Sequence, residues 1–225
     1  MTPRRSRRLG LPARLRLRPG LRARATGDER GQGLVELSMV MPIILLLLVS
    51  MMEFGMAFND VLTIGYASRE GARAGSALAN GKALSCTPTD PAGVDATVVA
   101  AVQRILKSPG SDVELSDIQQ IRIFKATSTG AQSGASVNVW TYTPGAGPDV
   151  DPGPGAAKLD FTETQHGWNA CSRVNSGTPD SLGVQLVYRY RLTTPLAGVL
   201  KLVGGSQAAT ITFREQTVMA LNPTA

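Results

Sequence analysis

An apolar stretch near the N-terminus constrains this chain more than any other feature. Leu37 to Met52 is a run of sixteen residues without a charge, mostly Leu, Ile, Val and Met. Extended from Leu34 to Phe58 it has 25 positions, more than the ~20 helical residues that cross a bilayer. We therefore predict a transmembrane helix over residues 32–58, with the lipid membrane as its surroundings.

Charge is distributed unevenly around this stretch. Residues 1–30 hold ten arginines against Asp28 and Glu29, a net charge of +8, whereas the whole chain carries +6. Arginine-rich tails also bind nucleic acids, but the positive-inside rule explains one that directly precedes a membrane segment. We predict no nucleic-acid partner, a basic cytoplasmic leader over residues 1–31, and a single-pass cell-membrane protein with its C-terminal domain extracytoplasmic.

A cleaved secretory signal is the alternative to a retained anchor. Ala77-Leu78-Ala79 supplies the small-x-small tripeptide of a signal cleavage site. It follows the apolar core by about twenty residues, however, and the core itself is long for a signal. These two departures favour the anchor.

The remaining sequence predicts an α+β domain. A proline-free stretch predicts a juxtamembrane helix extension over residues 59–82, and residues 83–225 form the extracytoplasmic domain. Within it, apolar spacing predicts a helix between residues 90 and 110, and a short apolar helix packed on the sheet near residues 194–205. Alternating apolar and polar residues predict antiparallel strands at 118–126, 136–142, 183–192 and 208–219.

The sequence contains no recognisable catalytic constellation. Its one histidine, His166, has no second histidine or carboxylate cluster near it in sequence and is interpreted as a loop residue. The acidic loop 149–155 lacks the ligand spacing of a calcium site. We predict no enzymatic activity, no cofactor and no metal.

The entrance of the apolar helix resembles the prepilin pattern. A basic leader ends at Gly31, four residues follow from Gln32, and Glu36 comes next, directly before the apolar run. The resemblance implies that a membrane aspartyl peptidase, the prepilin peptidase, cuts between Gly31 and Gln32.

A longer ordered set of motifs, from Arg30 to Gly75, resembles the TadE-like family of the tight adherence (Tad, or Flp) pilus systems. It combines Val-Glu at the entrance, a proline within the apolar run, Glu-Phe-Gly at its end, and Arg-Glu-Gly-Ala-Arg beyond: Pro42, Glu53, Phe54, Gly55, Arg69, Glu70, Gly71, Ala72 and Arg73. The resemblance implies a pilin-like fold and a minor pseudopilin function in pilus assembly. Its partners would be other pilin-like subunits and the assembly machinery.

Three residues of the helix have open interpretations. Glu36 either pairs with an α-amino group created at Gln32, in the same or a neighbouring subunit, or is an interfacial acid whose side chain reaches water. Pro42 either loosens the helix for bending or is a tolerated kink. We interpret Glu53 as an interfacial carboxylate near the outer membrane boundary.

A second class of function remains open on sequence grounds. The chain also fits a bitopic surface protein whose exterior domain binds an extracellular ligand or a cell-wall polymer, without any connection to a pilus.

We predict that Cys86 and Cys171 form a disulfide. They are the only cysteines, both follow the membrane segment, and an oxidising exterior favours a bridge over two buried thiols. Closing a loop between cysteines 85 positions apart stabilises the fold by roughly 4 kcal/mol in the chain-entropy model. Non-reducing mass spectrometry of protein isolated from the cell envelope should find the cross-linked peptide, which reduction removes. Two free thiols would contradict the bridge.

Overall fold

The computed structural model describes residues 28–78, 92–150 and 158–222. Most of the predicted leader lies outside these residues, as does Cys86, so the disulfide stays a prediction. The elements run in chain order as α1 (Asp28–Leu78), α2 (Ala92–Leu106), β1 (Ile118–Ala126), β2 (Gln132–Tyr142), β3 (Phe161–His166), β4 (Ser181–Arg191), α3 (Leu196–Gly204) and β5 (Thr210–Ala220).

Helix α1 is continuous over 51 residues and contains Pro42. It is long and apolar enough to cross a membrane. Its residues belong to two units, Met1–Ile44 and Leu45–Ala225. In the first unit every side chain from Gly31 onward is exposed. In the second, the helix begins to contribute buried side chains at Glu53.

The five strands form one antiparallel sheet in the order β3-β2-β1-β4-β5. The predicted bounds of β1 are observed, and those of β2, β4 and β5 differ from the observed bounds by at most four residues. Helices cover one face of the sheet. The other face carries polar side chains beside a smaller buried cluster of Phe124, Ala126, Val137 and Val139. The apolar–polar alternation that located the strands reflects this difference between the faces. The prediction of an α+β fold is confirmed.

Strand β3 was not predicted, and the interpretation of His166 as a loop residue is wrong. His166 is the last residue of β3 and lies opposite Asn138 of β2. Only Phe161 of this edge strand is buried, and the side chains that follow it are polar. Because backbone pairing with β2 defines the strand, its side chains show no alternation that sequence could reveal.

Helices α1 and α2 cover one face of the sheet and form the main core with it. In α2, Val94, Val98, Val102 and Leu106 are buried, and Ile105 packs against the core partly buried. The largest core contributors from the sheet are fully buried aliphatic and aromatic side chains: Ile121, Ile123, Trp140, Phe161, Leu182 and Leu186.

Helix α3 is the short apolar helix predicted near residues 194–205, and much of its apolar surface is exposed. Ala197 is its one buried residue, whereas Leu202 and Val203 are 87% and 84% exposed. The apolar character of this segment predicted burial, but the tertiary structure leaves the Leu202 and Val203 side chains exposed.

Two glycines of α1 allow the helices and the sheet to approach closely. A Cβ added at Gly71 would lie 2.6 Å from Val102 Cγ2 and 3.3 Å from Val184 Cγ1. One at Gly75 would lie 3.0 Å from two Leu182 methyl carbons. A side chain at Gly71 therefore requires Val102 to move, whereas one at Gly75 requires Leu182 to give by a few tenths of an ångström. Glycine is kept at these positions although it weakens a helix interior by ~1 kcal/mol relative to alanine.

We expect Gly71→Ala to lower the free energy of unfolding by ~1–3 kcal/mol, because the stiff Val102 side chain has to move to relieve the overlap. Gly65→Ala is the matched control on the same helix: no atom lies within 4 Å of its added Cβ. The control should be neutral or gain up to ~1 kcal/mol from helix propensity. Chemical unfolding of the full chain in detergent micelles, followed by tryptophan fluorescence, measures both. Equal effects would contradict the close-packing role of Gly71.

Candidate functional site

Four polar side chains of α1 lie about two helical turns apart and all contact β4, β5 or the segments adjoining them. We call Glu53, Asp60, Ser68 and Ser76 the polar seam. All four are buried, with exposures between 1% and 6%. Buried polar groups are costly unless they are hydrogen-bonded, so the partners of the seam decide whether it stabilises the fold.

Glu53 makes the most hydrogen bonds of the seam. Its Oε1 accepts from the Tyr190 hydroxyl and from the backbone N–H of Thr193, at 3.1 Å for the latter, and its Oε2 accepts from the backbone N–H of Thr194 at 2.9 Å. Burial, followed by the hydrogen bond to Glu53, raises the pKa of Tyr190, which keeps its hydroxyl protonated as a donor. The Glu53 carboxylate is therefore satisfied by hydrogen bonds inside the protein, and its place near the outer membrane boundary stays a prediction.

The other three seam residues continue this attachment along the helix. The Tyr188 hydroxyl donates to Asp60 Oδ2 at 2.8 Å, and burial, then this bond, raises the pKa of Tyr188. The hydroxyls of Ser68 and Thr217 share a hydrogen bond of 2.9 Å. Ser76 Oγ donates to the carbonyl oxygen of Ala220 at 2.6 Å. Together these bonds fix the register of α1 against the two strands.

The structure separates the predicted family-motif residues into buried and exposed sets. Glu53, Gly71 and Ala72 are buried. The exposed or partly exposed set makes local contacts along the helix: Phe54 stacks on Phe58 with centroids 6.4 Å apart, Arg69 lies over the Tyr66 ring at 5.8 Å, and Arg73 Nε pairs with Glu70 at 3.2 Å. Gly55 is exposed.

The predicted processing residues lie together near the start of α1. Gly31, Gln32 and Glu36 are exposed, and Gln32 Nε2 donates to Glu36 Oε1 at 3.2 Å. Pro42 is exposed within the continuous helix. The side chains of positions 32 and 36 therefore share one face of the helix, as residues four apart do.

A buried ion pair in the sheet domain positions the segment that carries Cys171. Arg173 Nη2 donates to both carboxylate oxygens of Asp95 at 2.7 and 2.9 Å, and its guanidinium lies 4.4 Å from the centroid of the Trp168 ring. Asn138 Oδ1 accepts from the N–H groups of Gly167 and Trp168. Both charges are buried, so removing one partner would leave the other as an unpaired buried charge. The cluster therefore holds this segment in place.

A second carboxylate cluster connects α2 with the loop before β3. Asp160 accepts from Lys107 Nζ at 2.6 Å, from Gln103 Nε2 at 2.9 Å and from the Gly145 N–H at 2.8 Å. Burial by itself would raise the pKa of Asp160, but these donors outweigh it and the pKa is lowered. The described parts of the chain contain no group of three or more His, Cys, Asp or Glu side chains placed to bind a metal.

Three members of the seam were missed in the sequence. Asp60, Ser68 and Ser76 gave no motif, yet they interrupt the apolar face of α1 at intervals of seven or eight residues. A polar residue that recurs every two turns on a face otherwise apolar is a signal for buried polar partners on another element.

These features define a class of protein: an α+β domain built on the C-terminal part of a long N-terminal helix whose exposed apolar part fits a single-pass membrane anchor. Residues 31–73 match the family model described as TadE-like protein. The match begins at Gly31 and ends at Arg73, which confirms the resemblance predicted from the motifs between Arg30 and Gly75. No curated protein and no solved structure matches the chain.

We expect Glu53→Ala to lower the free energy of unfolding by ~2–5 kcal/mol, because the Tyr190 hydroxyl and the N–H groups of Thr193 and Thr194 lose their carboxylate acceptor. Glu53→Gln keeps one acceptor oxygen but turns an amide N–H toward donors, so its loss should be smaller. Asn59→Ala, at an exposed position of the same helix, is the control and should change little. Chemical unfolding of the full chain in detergent micelles measures all three. Equal stability of Glu53→Ala and Asn59→Ala would contradict the role of the carboxylate.

Proposed function

We propose that this protein is a minor pilin-like subunit, a pseudopilin, which is anchored in the membrane and takes part in assembling a Tad (Flp) pilus. The observation that carries the proposal is the TadE-like match over residues 31–73, which coincides with a prepilin-like pattern at the entrance of an exposed apolar helix. Other pilin-like subunits and the assembly machinery are the proposed partners.

Processing by a prepilin peptidase after Gly31 is part of this proposal. The cut would make Gln32 the first residue and give it a positively charged α-amino group. Glu36 would then lie in the first turns of the helix, where the N-terminal end of the helix dipole favours a carboxylate. The contact between the Gln32 and Glu36 side chains supports this arrangement, because it already brings the two positions together on one face.

Assembly through the N-terminal helix follows from its exposed surface. Side chains from Gly31 to Leu48 are all exposed, and their apolar character suits lipid or neighbouring helices. Lipid tails are as apolar as leucine, so a carboxylate and an α-amino group on adjacent helices supply the specific contact that apolar packing lacks. Glu36 would set the register between subunits in this way.

The orientation completes the proposal. The arginine excess before the helix favours a cytoplasmic N-terminus, which leaves the sheet domain extracytoplasmic. The role is one of binding and assembly and not of catalysis. Its support is that the buried acids Glu53, Asp60 and Asp95, and the half-buried Asp160, are all engaged in hydrogen bonds that hold the fold.

Two substitutions test processing and assembly in cells that carry the variant as the sole copy. Gly31→Ala should block the cut, so that intact-mass analysis finds residues 1–31 still attached. Glu36→Leu should enter the membrane normally, because the segment becomes more apolar, but reduce the number of pili. Ser38→Ala, exposed on the same helix, is the control and should leave both readouts unchanged.

The outcomes separate the parts of the proposal. A wild-type protein whose N-terminus is not Gln32 contradicts processing. Normal piliation with Glu36→Leu shows that the carboxylate is an interfacial acid without a role in assembly. Normal piliation after deletion of the whole gene contradicts the pilus function and favours a surface protein that binds an extracellular ligand or cell-wall polymer.

A further inference from the structure

Helix α3 carries a broad apolar face that is covered in part. Leu196 and Leu200 line an apolar groove together with Tyr190 and Phe213. Val199, Leu202 and Val203 are 49%, 87% and 84% exposed. We call these three the outer stripe. Their spacing of three and four residues places them along one side of the helix.

The position of α3 is fixed at the end of the apolar run. Glu53 accepts hydrogen bonds from the N–H groups of Thr193 and Thr194, the residues that lead into α3. Glu53 directly follows Met52, the last residue of the uncharged run Leu37–Met52. The segment that leads into α3 is therefore attached to α1 directly beside exposed apolar side chains of that helix.

The surroundings of α3 also suit a lipid surface. Met51, Met52 and Phe54 on the adjoining part of α1 are 73%, 66% and 72% exposed. Phe54 and Phe58 stack on each other at the level where aromatic residues favour the membrane interface. The exposed apolar surface of α1 therefore extends as far as the place where the segment before α3 is attached.

The chain around α3 contributes no acidic side chain to this surface. From Leu192 to Phe213 the chain has no aspartate or glutamate, and its one charged residue is Lys201, which is exposed. A lysine beside an apolar stripe can extend its ammonium toward anionic headgroups while its carbon chain stays among apolar groups.

We infer that α3 is a second membrane contact: its outer stripe lies in the lipid–water interface of the same bilayer that α1 crosses. Three apolar side chains would hold a free peptide weakly. Here the anchor keeps α3 beside the lipid, so its insertion is an intramolecular step with a high effective concentration. The contact would fix the orientation of the sheet domain relative to the membrane. It goes beyond the proposed function and requires a membrane anchor, but no role in a pilus.

The test compares two tryptophan variants of the full chain. Leu202→Trp adds a fluorophore on the outer stripe. Ser128→Trp adds one at an exposed position of the turn between β1 and β2, at the end of the sheet nearer to Ser76 than to Glu53. Trp140 and Trp168 are buried and give the same background in both variants. Each protein is reconstituted in vesicles of phosphatidylglycerol and phosphatidylcholine, the latter with bromine on its acyl chains near the headgroup.

Bromine quenches only a fluorophore that contacts the lipid. After subtraction of the parent protein's emission, the added emission should be quenched roughly twofold or more in Leu202→Trp relative to Ser128→Trp. Both variants carry the same tryptophan, so the residue's own preference for interfaces cannot produce the difference. Because Leu202 is largely exposed, the variant should unfold like the parent, which the same sample verifies.

Two results would overturn the inference. Equal quenching in both variants means that the outer stripe faces water. A blue-shifted but unquenched emission from Leu202→Trp means that protein, such as a second copy of this chain, covers the stripe. Neither result bears on the pilus function, which the gene deletion tests separately.

Discussion

The buried carboxylate of Glu53 is the interaction on which the attachment of α1 to the domain depends. A charge in the interior is tolerated only when hydrogen bonds replace its lost water, and Glu53 obtains three donors from the end of β4 and the segment after it. Hydrogen bonding is directional, so this requirement fixes which turn of α1 faces the end of the sheet. An apolar contact of similar size would allow the helix to slide or rotate.

The remaining seam and the two tightly packed glycines extend this constraint along the helix. Asp60, Ser68 and Ser76 each find a partner on β4, on β5 or at the adjoining chain, while Gly71 and Gly75 bring the helix close to Val102 and Leu182. The C-terminal part of α1 is thus a core element of the domain.

This arrangement suits a subunit whose N-terminal helix makes its contacts with partners. In the proposed pseudopilin, packing of the apolar helix would orient the attached domain, and α3 beside Glu53 would add a membrane contact before assembly. Both proposals draw on the same physical feature: the apolar exposed surface that surrounds the point where α1 joins the domain.

The sequence by itself determined the elements whose signals are local. The uncharged run predicted the long helix, alternation predicted four strands with bounds close to the observed ones, and motif order predicted the TadE-like match. Strand β3 could not be predicted, because it is defined by backbone pairing with β2 and its side chains are mostly polar. Only the tertiary structure decided that Glu53 is buried and that the outer stripe of α3 is exposed. Whether a side chain is covered depends on elements distant in sequence, whose arrangement no local pattern records.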